Sequence, residues 1–345
     1  MKFGIVGEIQ SGKSSLLALL MAGKGARRGK HEWETVIPIP DERLEWLAHL
    51  HQPRKVTPAT LEFTDLSADP RHAGGDLDRL LSIPDLRTCD GIAVVLDCFT
   101  RPPQASTLES FELATALADL ELVERRLERL LADRKRGNKD AEKEMALMER
   151  LRGHLESEKP LRVLELNESD RQALRGYQFL SLKPVLVVVN RGEDEVAAPD
   201  PPELEAAAKA AGHELCSLSL PLEGELAGLD EGEREEFLRE LGIAEPAVTR
   251  FLRSAYRSLG LISFLTAGKD ECRAWTIPAG ATAPEAAGKI HSDLQRGFIR
   301  AEVVAFDDLK THGDEKAAKA AGVVRLEGKD YVVQDGDVIE IRFSV

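Results

Sequence analysis

Nine residues near the start, Gly7-Glu8-Ile9-Gln10-Ser11-Gly12-Lys13-Ser14-Ser15, set a lysine and two hydroxyls directly behind two glycines. Glycine lets a backbone approach a bulky anion. N–H groups at a helix start add donors and partial positive charge, and a lysine adds a full one. That combination suits the phosphates of a nucleotide. Gly7, Gln10, Ser11, Gly12 and Ser15 would line the phosphates, Lys13 would reach the β- and γ-oxygens, and Ser14 Oγ would ligate Mg²⁺. Two more places could complete such a site. The stretch Ala59-Thr-Leu-Glu-Phe-Thr-Asp65 alternates and ends in an acid. There a carboxylate would hold Mg²⁺ with Ser14 and share the catalytic role with Lys13. Asn190-Arg-Gly-Glu193 follows an apolar run directly, where Asn190 would hold a base edge and Glu193 would set base preference. N-x-x-E alone is a weak signal; its place and order give it meaning.

These residues need elements to position them. Phe3, Ile5 and Val6 form a short apolar run before Gly7, and Leu16, Leu17, Leu19 and Leu20 repeat with helical spacing after Ser15, so the loop joins a strand to a helix. Gly91–Phe99 and Lys183–Asn190 are continuous apolar runs suited to buried parallel strands, with Leu215–Leu220 a weaker third. Thr35–Pro40 reads as a strand or an extended edge, and Asp41 as the N-cap of a helix over Glu42–His51. Further helices are expected over Glu231–Leu241 and Ala247–Leu259. Strands alternating with helices behind such a loop predict a doubly wound α/β domain, with ligands at the strand C-termini.

Between the two strong strands the chain is too long for one crossover. Leu113, Leu117, Leu120, Val123, Leu127 and Leu130 repeat at three and four, as do Ala141, Met145, Met148 and Leu155, and Gly137-Asn138 separates the two sets. The spacing predicts an antiparallel helical hairpin inserted into the α/β domain. Its bend is basic: Arg125, Arg126, Arg129, Arg134, Lys135, Arg136, Lys139 and Lys143. A solvated face and an RNA contact both fit that cluster. Gly23–Lys30, glycine-rich and basic, reads as a mobile segment, either a nucleotide-sensing switch or a solvated connector. From Leu261 the character changes to short strands (Ile262–Leu265, Cys272–Ile277, Val303–Phe306, Tyr331–Val333, Val338–Phe343) around a helix over Ala283–Leu294. That predicts a β-grasp-like module, with His291 on its surface or in packing rather than in catalysis.

Composition bounds the rest. The 345 residues are 43% hydrophobic and 31% charged, as in a soluble globular protein with room for two or three domains. No apolar run approaches the ~18 residues that a membrane span needs. Four scattered cysteines without a C-x-x-C pair suit free thiols in a reducing cytoplasm. A net charge of −14 disfavours indiscriminate nucleic-acid binding, so any RNA contact must be local.

Taken with their order, these residues resemble the YchF/Obg-like ATPases of the translation-factor-related P-loop GTPase class. The likeness is densest near the C-terminus, in Phe264-Leu-Thr-Ala-Gly268, Arg273-Ala-Trp-Thr-Ile-Pro278, Gly280-Ala-Thr-Ala-Pro284, Ala287-Gly-Lys-Ile-His291, Gly297-Phe-Ile-Arg-Ala-Glu302, Leu326-Glu-Gly-Lys-Asp-Tyr331 and Asp335-Gly-Asp337. It continues in Pro38–Leu44, Pro58–Phe63, Asp119–Glu124 and Phe237–Ile243. The resemblance implies a nucleotide-binding domain over 1–104 and 181–260, an inserted hairpin over 105–180 and a TGS domain over 261–345. It also implies a cytoplasmic, monomeric protein that binds ATP in preference to GTP, uses Mg²⁺, hydrolyses ATP slowly and associates with ribosomes or ribosomal RNA through the hairpin and TGS domain.

The sequence departs from the family pattern where a switch would act. The loop after the P-loop is shortened, and Thr35 is a poor substitute for the family's metal-completing threonine. The family's D-x-x-G is Asp65-Leu-Ser-Ala68, and alanine restricts φ where glycine would not. Ser219-Leu-Pro221 ends in a residue with no N–H to offer a base. Two readings follow: a slow ATPase switch, or a hydrolysis-deficient nucleotide-binding scaffold or regulator.

Overall fold

A computed structural model describes residues 1–23, 26–29, 34–66, 84–99, 105–135, 140–196, 198–243 and 245–344. The chain forms two compact units: Met1–Ile37 with Glu62–Ser254, and Pro38–Leu61 with Ala255–Val345.

The strands of the first part of the chain are β1 (Lys2–Gly7), β2 (Arg27–Arg28), β3 (Glu34–Pro38), β4 (Lys55–Thr57), β5 (Thr60–Asp65), β6 (Gly91–Cys98), β7 (Val185–Arg191) and β8 (Glu214–Leu218). All but β4 join one sheet in the order β2-β3-β5-β1-β6-β7-β8. β1 lies parallel to both β5 and β6, β6 to β7, and β7 to β8. Every residue of β7 is buried, as a strand covered on both faces requires. The strand order reverses at β1, and an open α/β sheet places its ligand crevice at such a reversal. Arg27 and Arg28, inside the glycine-rich basic segment, form a short antiparallel pairing with β3. Lys24, Gly25 and Lys30 of that segment lie outside the described residues.

The helical hairpin consists of a long helix, Ala105–Lys135, and a partner, Asp140–Leu155. Val123, Leu127, Leu130, Met145, Met148, Leu151 and Leu155 share one core with Leu161, Leu166, Leu174 and Phe179. The first half of the long helix departs from the expected stripe: Leu113 and Leu117 are 38% and 55% exposed. The buried positions there are Leu108, Phe111, Glu112, Thr115, Ala116 and Asp119. Leu108 and Phe111 pack with the sheet core, and the polar members are satisfied internally. Asp119 accepts from the backbone N–H groups of Leu180 (3.0 Å) and Ser181 (2.7 Å), from Ser181 Oγ (2.8 Å) and from Arg87 Nη1 (2.8 Å). A buried carboxylate with four donors is stable where an unpaired one is not. The bend residues Arg136 to Lys139 lie outside the described residues. Arg126 of the basic cluster turns to Glu144, with Nε at 2.6 Å and Nη2 at 2.8 Å, and Arg125 pairs with Glu121 at 2.9 Å. Arg129, Arg134 and Lys143 remain exposed.

In the second unit, β4 joins β9 (Leu261–Thr266), β10 (Glu271–Pro278), β11 (Phe298–Ala305), β12 (Arg325–Glu327) and β13 (Asp337–Phe343) in the order β12-β11-β13-β9-β10-β4. Helix Ala283–Ile290 buries Ala283, Ala286 and Ala287 against Phe264, Ile277, Ala301, Val303 and Ile339. The strand expected over Tyr331–Val333 is one isolated bridge from Val332 to Thr282; β12 takes the edge place. The helix expected to run on to Leu294 breaks at His291. That residue is 64% exposed at its side chain, and its Nδ1 accepts from Asp293 N–H at 3.2 Å, capping a second short helix, Ser292–Arg296. Arg43, from helix Glu42–His51, binds both Asp41 (2.9 Å) and Asp335 (2.8 Å), so this helix belongs to the unit's own fabric.

All four cysteines are free and buried. Burial pushes the Cys89, Cys98 and Cys216 thiols up to about 12, which leaves them unreactive. Among the described residues no helix is long and apolar enough to cross a membrane.

Candidate functional site

The phosphate-type loop leaves β1 at Gly7 and enters helix Lys13–Ala22. Its backbone is shaped by positive φ at Gly7 (153°), Gln10 (65°) and Gly12 (103°). A Cβ on Gly7 would stand 2.3 Å from the Val95 carbonyl oxygen of neighbouring β6, so only glycine fits. Gly12 is closed to side chains for a second reason besides phosphate access. A Cβ there would meet Leu220 Cδ1 at 2.6 Å and Asn190 Nδ2 at 2.8 Å.

Asn190 is the bracket of the site. It ends β7 except for Arg191 and is 3% exposed. Its Nδ2 donates to the Ser11 carbonyl at 3.1 Å, and its Oδ1 accepts from Leu220 N–H at 3.2 Å. It thereby ties the loop to the start of helix Leu220–Ala227, which Ser219 caps by accepting from Leu222 N–H at 3.4 Å. Pro221 sits in the first turn of that helix, where an N–H has no intrahelical partner anyway.

Lys13 is 7% exposed, and its Nζ donates to the Glu8 carbonyl at 2.5 Å. Burial lowers the ammonium's pKa, against the opposing charge of Asp65. Ser14 Oγ donates to Asp65 Oδ2 at 2.9 Å. Asp65 ends β5 and is fully buried, while Ser14 is exposed. A hydroxyl and a carboxylate are the hard oxygen donors that Mg²⁺ takes alongside phosphate and water, so this pair fits the ion. Among the described residues no group of three His, Cys, Asp or Glu side chains stands ready for a metal.

The structure thus brings Gly7, Ser11, Gly12, Lys13, Ser14, Asp65 and Asn190 together. Gln10 and Ser15 flank them, both exposed. Glu193 starts a 3₁₀ turn at the surface and is exposed. Thr35 is fully buried inside β3, its Oγ1 donating to the Arg27 carbonyl at 3.1 Å. Ala68 lies outside the described residues.

Sequence reasoning passed over Arg191. It is 3% exposed and holds the chain that follows Glu193. The available signal was its place: a charge closing a strand that opens with five apolar residues must find partners or be expelled.

A glycine loop between β1 and its helix, a carboxylate at the end of β5 and an asparagine at the end of β7, on a sheet that reverses at β1, define the P-loop NTPase class. The comparisons place the chain within it. A family model described as "YchF-GTPase_C: Protein of unknown function (DUF933)" matches residues 261–344. The "Ribosome-binding ATPase YchF" of Pasteurella multocida (strain Pm70) is 40% identical over 362 residues, covering 100% of this chain and 99% of the relative. The protein of that name from Bacillus subtilis (strain 168) is 40% identical over 364 residues, covering 99% of each. A solved structure, "Structure of the Schizosaccharomyces pombe YchF GTPase", superposes with a TM-score of 0.85 at 26% identity, covering 99% of this chain and 97% of that one. The chain belongs to the YchF family.

Proposed function

We propose that this protein is a Mg²⁺-using ATPase that works in the cytoplasm, as a monomer, at the ribosome. The observation that carries the chemistry is Ser14 Oγ standing 2.9 Å from the Asp65 carboxylate beside buried Lys13. The names of full-length relatives support ATP and the ribosome.

Each residue's part follows from its contacts. Lys13 exchanges the neutral Glu8 carbonyl for anionic β- and γ-oxygens, a stronger acceptor for an ammonium. Ser14 and Asp65 hold Mg²⁺, which supplies neutralisation of the charge that builds on the phosphate oxygens. Gly7, Gln10, Ser11, Gly12 and Ser15 surround the phosphates. Asn190 spends one N–H and one lone pair on its bracket and has one of each left for a base edge. A GTPase's base-reading acid accepts from guanine's N1–H and amino group, and adenine presents a different edge. Glu193, within an N-x-x-E in place of N-K-x-D, favours ATP over GTP. Arg129, Arg134 and Lys143 on the hairpin, together with the TGS domain, supply the ribosomal RNA contact.

The decisive experiment is single-turnover phosphate release from ATP by the wild type and by Lys13→Ala. Loss of one preorganised donor at a transferring phosphoryl group lowers the rate by about a hundredfold. Equal rates would sink hydrolysis and leave a hydrolysis-deficient nucleotide-binding protein.

A further inference from the structure

Arg191 spans the gap between the strand that carries Asn190 and the chain that leads away from Glu193. Its guanidinium is buried and multiply anchored. Nη1 donates to the carbonyls of Glu195 (3.3 Å) and Ala198 (2.5 Å). Nη2 donates to the carbonyl of Pro199 (3.2 Å) and to the Asp200 carboxylate. Asp200 Oδ1 is fixed in turn by Ser217 Oγ of β8 at 2.5 Å. Nε is buried with no partner. One side chain therefore gathers four acceptors from residues 195 to 200 onto the carboxyl end of the sheet. A buried guanidinium is expensive to place, and simple loop closure needs no charge. What this arrangement adds is a fixed far end for the turn that bears Glu193, held at the Glu195 carbonyl, while its near end leaves β7 at Arg191 itself. Asn190 is already locked on the other side by Ser11 and Leu220.

We propose that Arg191 is a positioning residue for base selection: it holds the Glu193 turn at a set place relative to Asn190, and so determines how strongly the nucleobase contributes to binding. This rests on the nucleotide reading above. Arg191 need not touch the ligand. Its effect reaches mainly the base end, because the loop from Gly7 to Ser14 is held by other bonds: Ser11 N–H on the Glu8 carbonyl at 3.3 Å, Leu16 N–H on the Gly12 carbonyl at 2.8 Å, and Asn190 Nδ2 on the Ser11 carbonyl.

The test is calorimetric titration of the full chain with Mg-ATP, Mg-GTP and inorganic tripolyphosphate, a ligand with phosphates and no base. Arg191→Met removes the fork while keeping side-chain bulk. Asp200→Asn leaves the guanidinium its three carbonyls and weakens a single anchor. Arg191→Met is expected to weaken ATP about tenfold, to shrink the gap between ATP and GTP, and to leave tripolyphosphate within about twofold. Asp200→Asn is expected to shift the same ratio in the same direction by less. If Arg191→Met does not fold, the ratio in Asp200→Asn decides. An unchanged ratio of ATP to tripolyphosphate affinity in a folded variant overturns the proposal. So does equal weakening of all three ligands, which marks a purely structural staple. A wild type that binds ATP no better than tripolyphosphate instead refutes base reading itself, before any variant is compared.

Discussion

At the scale of single residues, the site depends on what a side chain would displace. Gly12 combines φ of +103° with neighbours at 2.6 and 2.8 Å from any added Cβ. The φ value alone penalises an L-residue, and the contact with Asn190 Nδ2 adds a second penalty belonging to the bracket. The two can be separated. Gly12→Ala is expected to destabilise by ~1–3 kcal/mol. Part of that loss should vanish in an Asn190→Ser background, giving a coupling of ~0.5–3 kcal/mol in a double-mutant cycle read by urea unfolding. Strictly additive losses would show that the asparagine does not bear on the glycine. The spacing of Gly7, Gly12 and Lys13 was legible because a phosphate loop is a local pattern. The bracket was not, because it joins residues 11, 190 and 220, which nothing in the linear chain marks as neighbours. Arg191 was hidden for the same reason: its partners lie on a loop whose path depends on the arginine.

At the scale of elements, the long helix changes partners along its length. Its second half faces the hairpin, and leucine spacing describes that half well. Its first half faces the sheet, and there Glu112, Thr115 and Asp119 occupy buried positions while Leu113 and Leu117 look outward. Apolar periodicity follows side-chain type, so it slips by a residue wherever a buried position is polar and hydrogen-bonded. The same limit concealed β12, whose residues are mostly exposed. By contrast β6 and β7 were plain, since burial on both faces leaves unbroken apolar runs, Ile92–Leu96 and Val185–Val189, ahead of the polar residues near their ends. Leu117→Lys is therefore expected to change stability by no more than ~0.5 kcal/mol. Met148→Ala, at 0% exposure in the hairpin core, should cost ~2–5 kcal/mol. Denaturant midpoints of the two variants check this; similar losses in both would restore the leucine stripe as the buried face.

At the scale of the whole molecule, acid sensitivity follows from a buried cluster that ties distant parts of the first unit together. Glu112 of the long helix accepts from Arg162 Nη1 at 2.5 Å and meets His213 Nε2 at 2.7 Å. His213, just ahead of β8, is fully buried at its side chain, and its Nδ1 has no partner. Protonating Nδ1 would bury an N–H with nothing to receive it. Burial accordingly lowers the histidine below its ordinary 6.5, overriding the hydrogen bond to Glu112 and its charge. Burial also works to raise the Glu112 carboxyl, but His213 and Arg162 outweigh it and leave the group below 4.5. The signs then agree. As pH falls through 6.5 the unfolded chain binds a proton that the folded histidine refuses, so stability drops. The Glu112 contribution, present above 4.5, is lost later, as pH falls through the carboxyl's lower folded value. One such proton is worth up to ~1.4 kcal/mol per pH unit. His213→Gln keeps a donor toward Glu112 without a titrating ring. It should start less stable at pH 7.5 and lose less on the way to pH 5.5. Urea unfolding of both proteins at pH 5.5, 6.5 and 7.5 measures the slopes. Parallel slopes would remove His213 from the account, and a wild type that gains stability on acidification would mean that an imidazolium paired with Glu112 forms inside the fold.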